Sequence, residues 1–349
     1  MRMLSLFLAF ALIGAVPPLD GGTSWIGSSR LTAGDLRGKV VLVDFWEYTC
    51  INCLRTLPYL HECYQRYHDD GFTIIGVHVP EFNFSHDDKN VTAAVTRLGI
   101  TWPVVLDDDF VIAKRYQFSE WPQELLFDQN GNLVETHRGE GNYQETETKI
   151  QELLRAEHPN LTLPPVMALL PQDSYDKPGA VCYLQTPETY VGPWHGTKIA
   201  DAPVSRFSDP SRDVLYADQT SEHKDGSVYL QGYWHVSPRG DAMISGGGDG
   251  YAAIRYHAIQ VVTVMTPDPG TSMRVDVTQD GKPLAKDDAG ADVRYDSSGT
   301  SYVTVDAARA YDVVMNAKFG SHELHLVPQK FGLGVYSFAF ESCEIPKSG

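Results

Sequence analysis

Positive charge and cysteine are both in short supply in this chain of 349 residues. Lys and Arg number 28 against 45 Asp and Glu, for a net charge of −17, and there are five cysteines. Nucleic acid is excluded as a partner, because phosphates call for Lys/Arg surfaces, and anionic lipid is disfavoured for the same reason. Beyond that, the acidity speaks only for solubility. A zinc centre is excluded as well: Cys50 and Cys53 have no second ligand pair at comparable spacing, since Cys63, Cys182 and Cys343 lie scattered, and no metal is expected. The glycine run Gly246–Gly250 lacks the Lys-Ser/Thr of a phosphate loop and reads as a turn. His322-Glu-Leu-His325 has the wrong spacing for a zinc helix, and on a strand its histidines point to opposite faces. Asp107-Asp108-Asp109 reads as a solvated cap ahead of a helix. Internal repeats and low-complexity tracts are absent too.

What is present suits an ordinary globular protein with two cores, at 42% hydrophobic and 21% charged residues. The start carries Met1-Arg-Met3, the apolar stretch Leu4–Val16 and then Pro17-Pro18. That length suits a signal-peptide core and is short of the about 20 residues a membrane span needs. Residues 1–16 are therefore expected to direct export to the periplasm or cell envelope. No Ala-x-Ala site stands well placed before Pro17, so a short uncleaved N-terminal anchor is the alternative.

The strongest chemical signal is Cys50-Ile51-Asn52-Cys53, directly after the apolar run Lys39–Trp46 and followed by Pro58. Two intervening residues on the first turn of a helix bring both sulfurs within bonding reach. The helix N-terminus favours negative charge on the first sulfur. Cys50 is thus the expected nucleophile and Cys53 the resolving thiol of a redox-active disulfide that exchanges through a mixed disulfide. No other cofactor is called for.

Val43-Asp44-Phe45-Trp46, three residues, Cys-x-x-Cys and a helix proline together resemble thioredoxin. More narrowly, Trp46-Glu-Tyr-Thr-Cys-Ile-Asn-Cys-Leu-Arg-Thr-Leu-Pro-Tyr59, with Gly76-Val-His-Val-Pro-Glu-Phe82, Arg97-Leu-Gly-Ile-Thr-Trp-Pro103, Trp121-Pro122 and Gly139-Glu-Gly141, is similar to the TlpA-like thioredoxin domain of DipZ-type proteins. The resemblance covers most of residues 20–155. It implies a proton-relaying buried acid at Asp44, where desolvation raises the pKa of a carboxyl. It implies a cis-proline facing the disulfide at Pro122, and an acid approaching the cysteines at Glu81. Trp46, Tyr48, Thr49, Ile51, Asn52 and Trp121 would surround the site, with Thr49 standing where thioredoxin has tryptophan. In full DipZ proteins a CcdA-type membrane domain feeds electrons to the thioredoxin domain. This sequence has no such segment, so a separate membrane donor of that type is expected, or a loss of the coupling.

The domain layout expected is a leader at 1–16, a thioredoxin-like α/β domain of TlpA type at 17–158, a linker at 159–178 and an all-β sandwich at 179–349. In the first domain, strand-like runs (39–45, 72–79, 103–106, 124–127, 132–137) alternate with helical stretches (52–68, 90–98, 109–116, 143–156). After the linker the period becomes two, in runs such as 228–236, 259–265, 272–278, 302–306 and 335–340. Thr186-Pro-Glu-Thr-Tyr-Val-Gly192 resembles the opening of the C-terminal domain of DipZ proteins, a domain similar to carbohydrate-binding modules. Trp194, Tyr233 and Trp234 are the aromatics that would stack on a glycan, although alternation must bury one of the last two. Cys182 and Cys343 flank the sandwich strands. They either staple its ends in an oxidising compartment or remain thiols, a choice that connectivity alone leaves open. Cys63 is then an odd, buried thiol. The function expected is an extracytoplasmic thiol/disulfide oxidoreductase, most like a reductase of envelope-protein or apocytochrome disulfides in cytochrome c biogenesis. The alternative is a glycan- or protein-binding envelope protein whose thioredoxin domain senses or scaffolds.

Overall fold

The computed structural model describes residues 15–170, 178–195, 199–200, 212–246 and 250–344. Leader residues 1–14, linker residues 171–177 and the centre of the glycine run, 247–249, lie outside them. The first half forms β1 (Ser24–Ile26), β2 (Val40–Trp46), α1 (Ile51–Tyr67), β3 (Phe72–His78), α2 (Asp88–Arg97), β4 (Val104–Leu106), α3 (Val111–Arg115), β5 (Gln123–Phe127), β6 (Leu133–Arg138) and α4 (Tyr143–Glu157). The strands make one sheet in the order β1-β4-β3-β2-β5-β6. β2, β3 and β4 run parallel, while β5, β6 and β1 join antiparallel.

Every residue of β2 is buried, which is why it reads as a continuous apolar run rather than an alternating one. Val41, Val43 and Phe45 enter a core with Ile75, Val77, Ile112 and Tyr116. Successive side chains on a strand face opposite ways, so Asp44 and Trp46 are directed to the other face. Asp107 does cap α3, accepting N–H bonds from Ile112 (3.0 Å) and Ala113 (2.6 Å). It is fully buried rather than solvated, and burial raises its pKa against those bonds.

Contacts divide the chain into two compact units, Met1–Pro80 with Val95–Leu169, and Glu81–Ala94 with Leu170–Gly349. The first therefore runs past the change of composition at Pro159. Glu147 on α4 is wholly buried, and a buried carboxylate needs donors. It receives the Tyr67 hydroxyl (2.5 Å), the Met167 N–H (2.6 Å) and Arg66 (3.4 Å). Gln144, Gln151 and Arg66 in turn donate to the carbonyls of Met167, Pro164 and Pro165. The described start of the linker is thus fixed along the first unit. Glu81–Ala94 fall in the second unit because Phe82 and Phe84 are apolar and pack with Tyr190, Ala242, Val264 and Tyr336.

The second unit contains β7 (Val181–Cys182), β8 (Thr189–Tyr190), β9 (Val214–Tyr216), β10 (Val228–Val236), β11 (Met243–Ser245), β12 (Tyr251–Thr266), β13 (Met273–Gln279), β14 (Lys282–Pro283), β15 (Val293–Tyr295), β16 (Ser301–Val305), β17 (Arg309–Pro328), β18 (Gly334–Glu341) and β19 (Cys343–Glu344). Eleven of these form one antiparallel sheet, β15-β16-β13-β17-β12-β10-β11-β18-β8 with β14 and β9 at its margins. The two long strands β12 and β17 pair along their length with register shifts between Ala258 and Gln260 and between Val261 and Val262, irregularities that bend strands. The first half of β12 pairs with β10 and the second half with β18, so the sheet folds back on itself. A core that includes Trp234, Ile254, Val261, Val275, Leu326 and Phe338 fills the space between its layers.

Trp234 must be withdrawn as a sugar-stacking residue. It is 1% exposed and its indole N–H donates to the Gln231 carbonyl at 2.8 Å. Tyr233, its neighbour on the alternating strand, is 49% exposed, and Trp194 is 66% exposed. His322 and His325 lie on β17 and meet Asp280 (2.8 Å) and Glu323 (2.7 Å).

Cys182 and Cys343 are directly opposite in the β7–β19 ladder and are disulfide-bonded, with a sequence separation of 161. Cross-linking ends so far apart removes much denatured-state entropy. A Cys182→Ser/Cys343→Ser variant is expected to lose about 5 kcal/mol of stability in chemical denaturation by the loop-entropy relation. A denaturation midpoint that does not move would contradict this.

Candidate active site

The end of β2 leads through Glu47–Thr49 into α1, and the turn is shaped by one side chain. Oε2 of Glu47 accepts the backbone N–H of Thr49 at 2.6 Å and also its hydroxyl. The Glu47 carbonyl accepts the Cys50 N–H at 3.3 Å. Cys50 is the N-cap of α1: its backbone is extended (φ −68°, ψ 112°) and its Sγ accepts the Cys53 N–H at 3.2 Å. That places the sulfur at the positive end of a 17-residue helix. Cys50 is partly exposed, and so are Ile51 and Asn52, while Cys53 is 1% exposed and Thr49 is buried. Burial first, and then the hydrogen bond and charge of Cys50, push the Cys53 thiol well up; Asp44 adds to this, and the Glu47 backbone N–H partly offsets it. Cys63, farther along α1, is buried too, and its thiol is raised chiefly by burial and then by Glu147 and Glu124.

Asp44 lies beneath this helix start, fully buried, with Oδ1 lacking a hydrogen-bond partner. Directly across the β2–β5 ladder stands Glu124, also buried. Burial, and then the charge of Glu124, hold the Asp44 carboxyl well above the usual carboxylate range. Burial and Glu135 push Glu124 up to about 7.

The Trp121–Pro122 peptide is cis. Pro122 immediately precedes β5, whose Gln123 is opposite Phe45, so it stands at the end of the sheet from which the cysteines emerge. Trp121 is fixed by its indole N–H on the Val79 carbonyl (3.1 Å) and by packing on Phe118. Trp46 and Tyr48 are buried against His78, the first edge-on and the second stacked, both at 5.6 Å between ring centroids.

Glu81 belongs to the second unit, where the Tyr190 hydroxyl donates to its Oε1 at 2.5 Å. A second acid of the first unit at this turn is Glu47, whose Oε1 lies 3.6 Å from Nε2 of His78, both side chains being wholly buried. Sequence reasoning missed Glu47, His78 and Glu124. The last had a usable signal, an acid inside a strand that pairs with the strand of Asp44. Among the described residues, no group of three or more His, Cys, Asp or Glu side chains is arranged to hold a metal. None of the described helices is long and apolar enough to cross a membrane.

A thioredoxin-like sheet carrying a partly exposed Cys at a helix start, a buried Cys three residues on and a cis-proline at the same end of the sheet defines a thiol-disulfide oxidoreductase. Family models agree: residues 27–154 match the Redoxin family and residues 186–340 the thioredoxin-like C-terminal domain family. More narrowly, the chain is similar to DipZ, being 32% identical over 330 residues to protein DipZ of Mycobacterium bovis, across 94% of this chain. It spans 43% of the length of that relative. Over 104 residues it is 36% identical to the thiol-disulfide oxidoreductase ResA of Geobacillus thermodenitrificans, covering 30% of this chain and 56% of that one. A crystal structure of a thiol-disulfide isomerase from Corynebacterium glutamicum is similar at 22% identity and a TM-score of 0.36, covering 40% of this chain and 96% of its own.

Proposed function

We propose that the chain acts outside the cytoplasm as a reductase of disulfides in envelope proteins or apocytochromes, supplied with electrons by a separate membrane protein of the CcdA type. The observation that carries this is the asymmetry of the pair: Cys50 partly exposed at the helix N-terminus, Cys53 buried with its thiol held protonated. The Cys50 thiolate attacks a substrate disulfide, and one substrate sulfur leaves with the electron pair and takes a proton from water. Cys53 then gives up its proton to Asp44 and attacks Cys50 Sγ. The bond from Cys50 to the substrate breaks, the second substrate sulfur leaves and is protonated, and Cys50–Cys53 becomes a disulfide. The substrate disulfide is reduced to a dithiol by two electrons, and the protein dithiol is oxidised by the same two. Pro122 would face the incoming substrate chain, while Trp46, Tyr48, Thr49 and Trp121 brace the reacting sulfurs.

The similarity to DipZ and to the thiol-disulfide oxidoreductase ResA supports the exchange chemistry, and the Cys182–Cys343 bond supports an oxidising compartment. The reading is tested by equilibrating the protein in defined thiol/disulfide buffers. A reduction potential near or below about −270 mV is expected of a reductase; one near about −120 mV would make the protein a disulfide donor and overturn the direction.

A further inference from the structure

We propose that Glu124 is a positioning residue for the exchange reaction: paired with Asp44, it makes a two-carboxylate unit that holds one proton at rest and accepts a second from Cys53. The inference rests on the thiol-disulfide reading above and goes beyond it, because it places the control of proton transfer on a residue of β5.

The argument begins with register. Asp44 and Glu124 are direct partners on antiparallel strands, so their side chains leave the same face of the sheet with Cβ atoms about 5 Å apart. Both are buried, at 1% and 6% exposure, and Oδ1 of Asp44 has no donor. Two carboxylates so close and so poorly solvated cannot both be ionised near neutrality, and such pairs share a proton. Among the described residues, the groups around them come from two neighbouring strands and two helices. On its other side Asp44 faces Gly76 of β3, which brings no functional group. On β6, Glu135 adds like charge to Glu124, and His137, opposite Glu124, meets the Glu140 carbonyl at 3.2 Å. On α1 the facing groups are the thiols of Cys53 and Cys63, and on α4 Glu147, whose cation Arg66 is engaged with it and with Glu62.

Cys53 is the one of these groups that must lose a proton during exchange. When Cys53 attacks, its proton passes to Asp44; the proton returns to water after the substrate has left. Glu124 sets the pH at which Asp44 is ready, since its negative charge disfavours ionisation of Asp44.

The test uses the reduced full chain and 5,5′-dithiobis(2-nitrobenzoate). The first thionitrobenzoate released reports attack by Cys50, and the second reports displacement by Cys53. Wild-type protein that never releases the second would overturn the underlying exchange reading, not this inference alone. Given both releases, the acid limb of the second rate against pH is expected to move to lower pH by about one unit or more in Glu124→Gln, as for sites coupled this strongly, so that at pH 6 the variant resolves faster than wild type. Glu124→Asp should restore the wild-type limb, and Asp44→Asn should abolish the limb and slow the step by about 10²-fold or more. Superimposable wild-type and Glu124→Gln profiles would overturn the proposal. Should the glutamine variant fail to fold, infrared spectroscopy of wild-type protein decides. A protonated carboxyl band at pH 6 that titrates with the kinetic limb is expected, and its absence overturns the proposal.

Discussion

Cys50→Ala is expected to leave no disulfide exchange above the uncatalysed background, whereas Cys53→Ala becomes a trap that accumulates covalent adducts with its substrate. The asymmetry of the site requires the difference. Cys50 is the sulfur that a partner can reach, and it sits on the N–H groups that open α1. Cys53 is closed off from solvent, so it attacks only once Cys50 carries the substrate. Removing Cys50 therefore removes the first step. Removing Cys53 preserves that step and blocks release, since no other thiol on α1 can reach: Cys63 lies ten residues on, buried and held protonated. Insulin reduction with a thiol donor measures the first variant, and non-reducing electrophoresis of the second, freshly mixed with a disulfide substrate, displays the adduct. A Cys50→Ala protein of wild-type rate would end the assignment of nucleophile.

The second large effect is on stability. Glu147→Ala is expected to destabilise the first unit by about 3–5 kcal/mol, the range for breaking a buried ionic network from one side. Tyr67 and Met167 would each lose an acceptor in a place closed to water, and Arg66 would keep Glu62 and the Pro165 carbonyl. Glu147→Gln retains an acceptor oxygen and is expected to recover part of the loss. Urea unfolding followed by tryptophan fluorescence measures both, and an alanine variant with an unchanged midpoint would show that the network contributes nothing.

The elements around the cysteines were legible because each had a strong local pattern. The apolar run of β2, the strand-to-helix step at Cys50 and the helical stretches of α1 and α4 all appear close to where periodicity puts them. The second unit was harder. β17 runs for 20 residues, yet its middle, Asn316–Ser321, mixes polar residues with Ala317, Phe319 and Gly320 and breaks the alternation where the sheet bends. Alternation did settle which of Tyr233 and Trp234 goes inward only in the sense that one must, and the neighbouring strands decide which. Glu81 and Glu47 illustrate the opposite difficulty. Glu47 reads as an ordinary polar residue after a strand, whereas Glu81 is claimed by the second unit through Phe82 and Phe84 finding apolar partners among residues more than a hundred positions away. Burial of His78 has no local signature, because the rings that cover it, Trp46 and Tyr48, come from the end of another strand and the turn that follows it.

The stretch that follows α4 looks, by composition, like an open strap that a protease would cut first. Its carbonyls at Pro164, Pro165 and Met167 are instead occupied, and Met167 is itself sunk into the surface. A cutting enzyme must draw several residues into an extended conformation, so this part of the strap is shielded, and limited digestion should spare the bonds between Pro164 and Met167. A redox fragment ended at residue 158 would lose the strap and leave Glu147 short of its Met167 donor; one ended after Leu169 would keep it. The useful place to divide the polypeptide is thus set by a carboxylate on a helix, although that place lies beyond Met167, well after the last turn of that helix has closed.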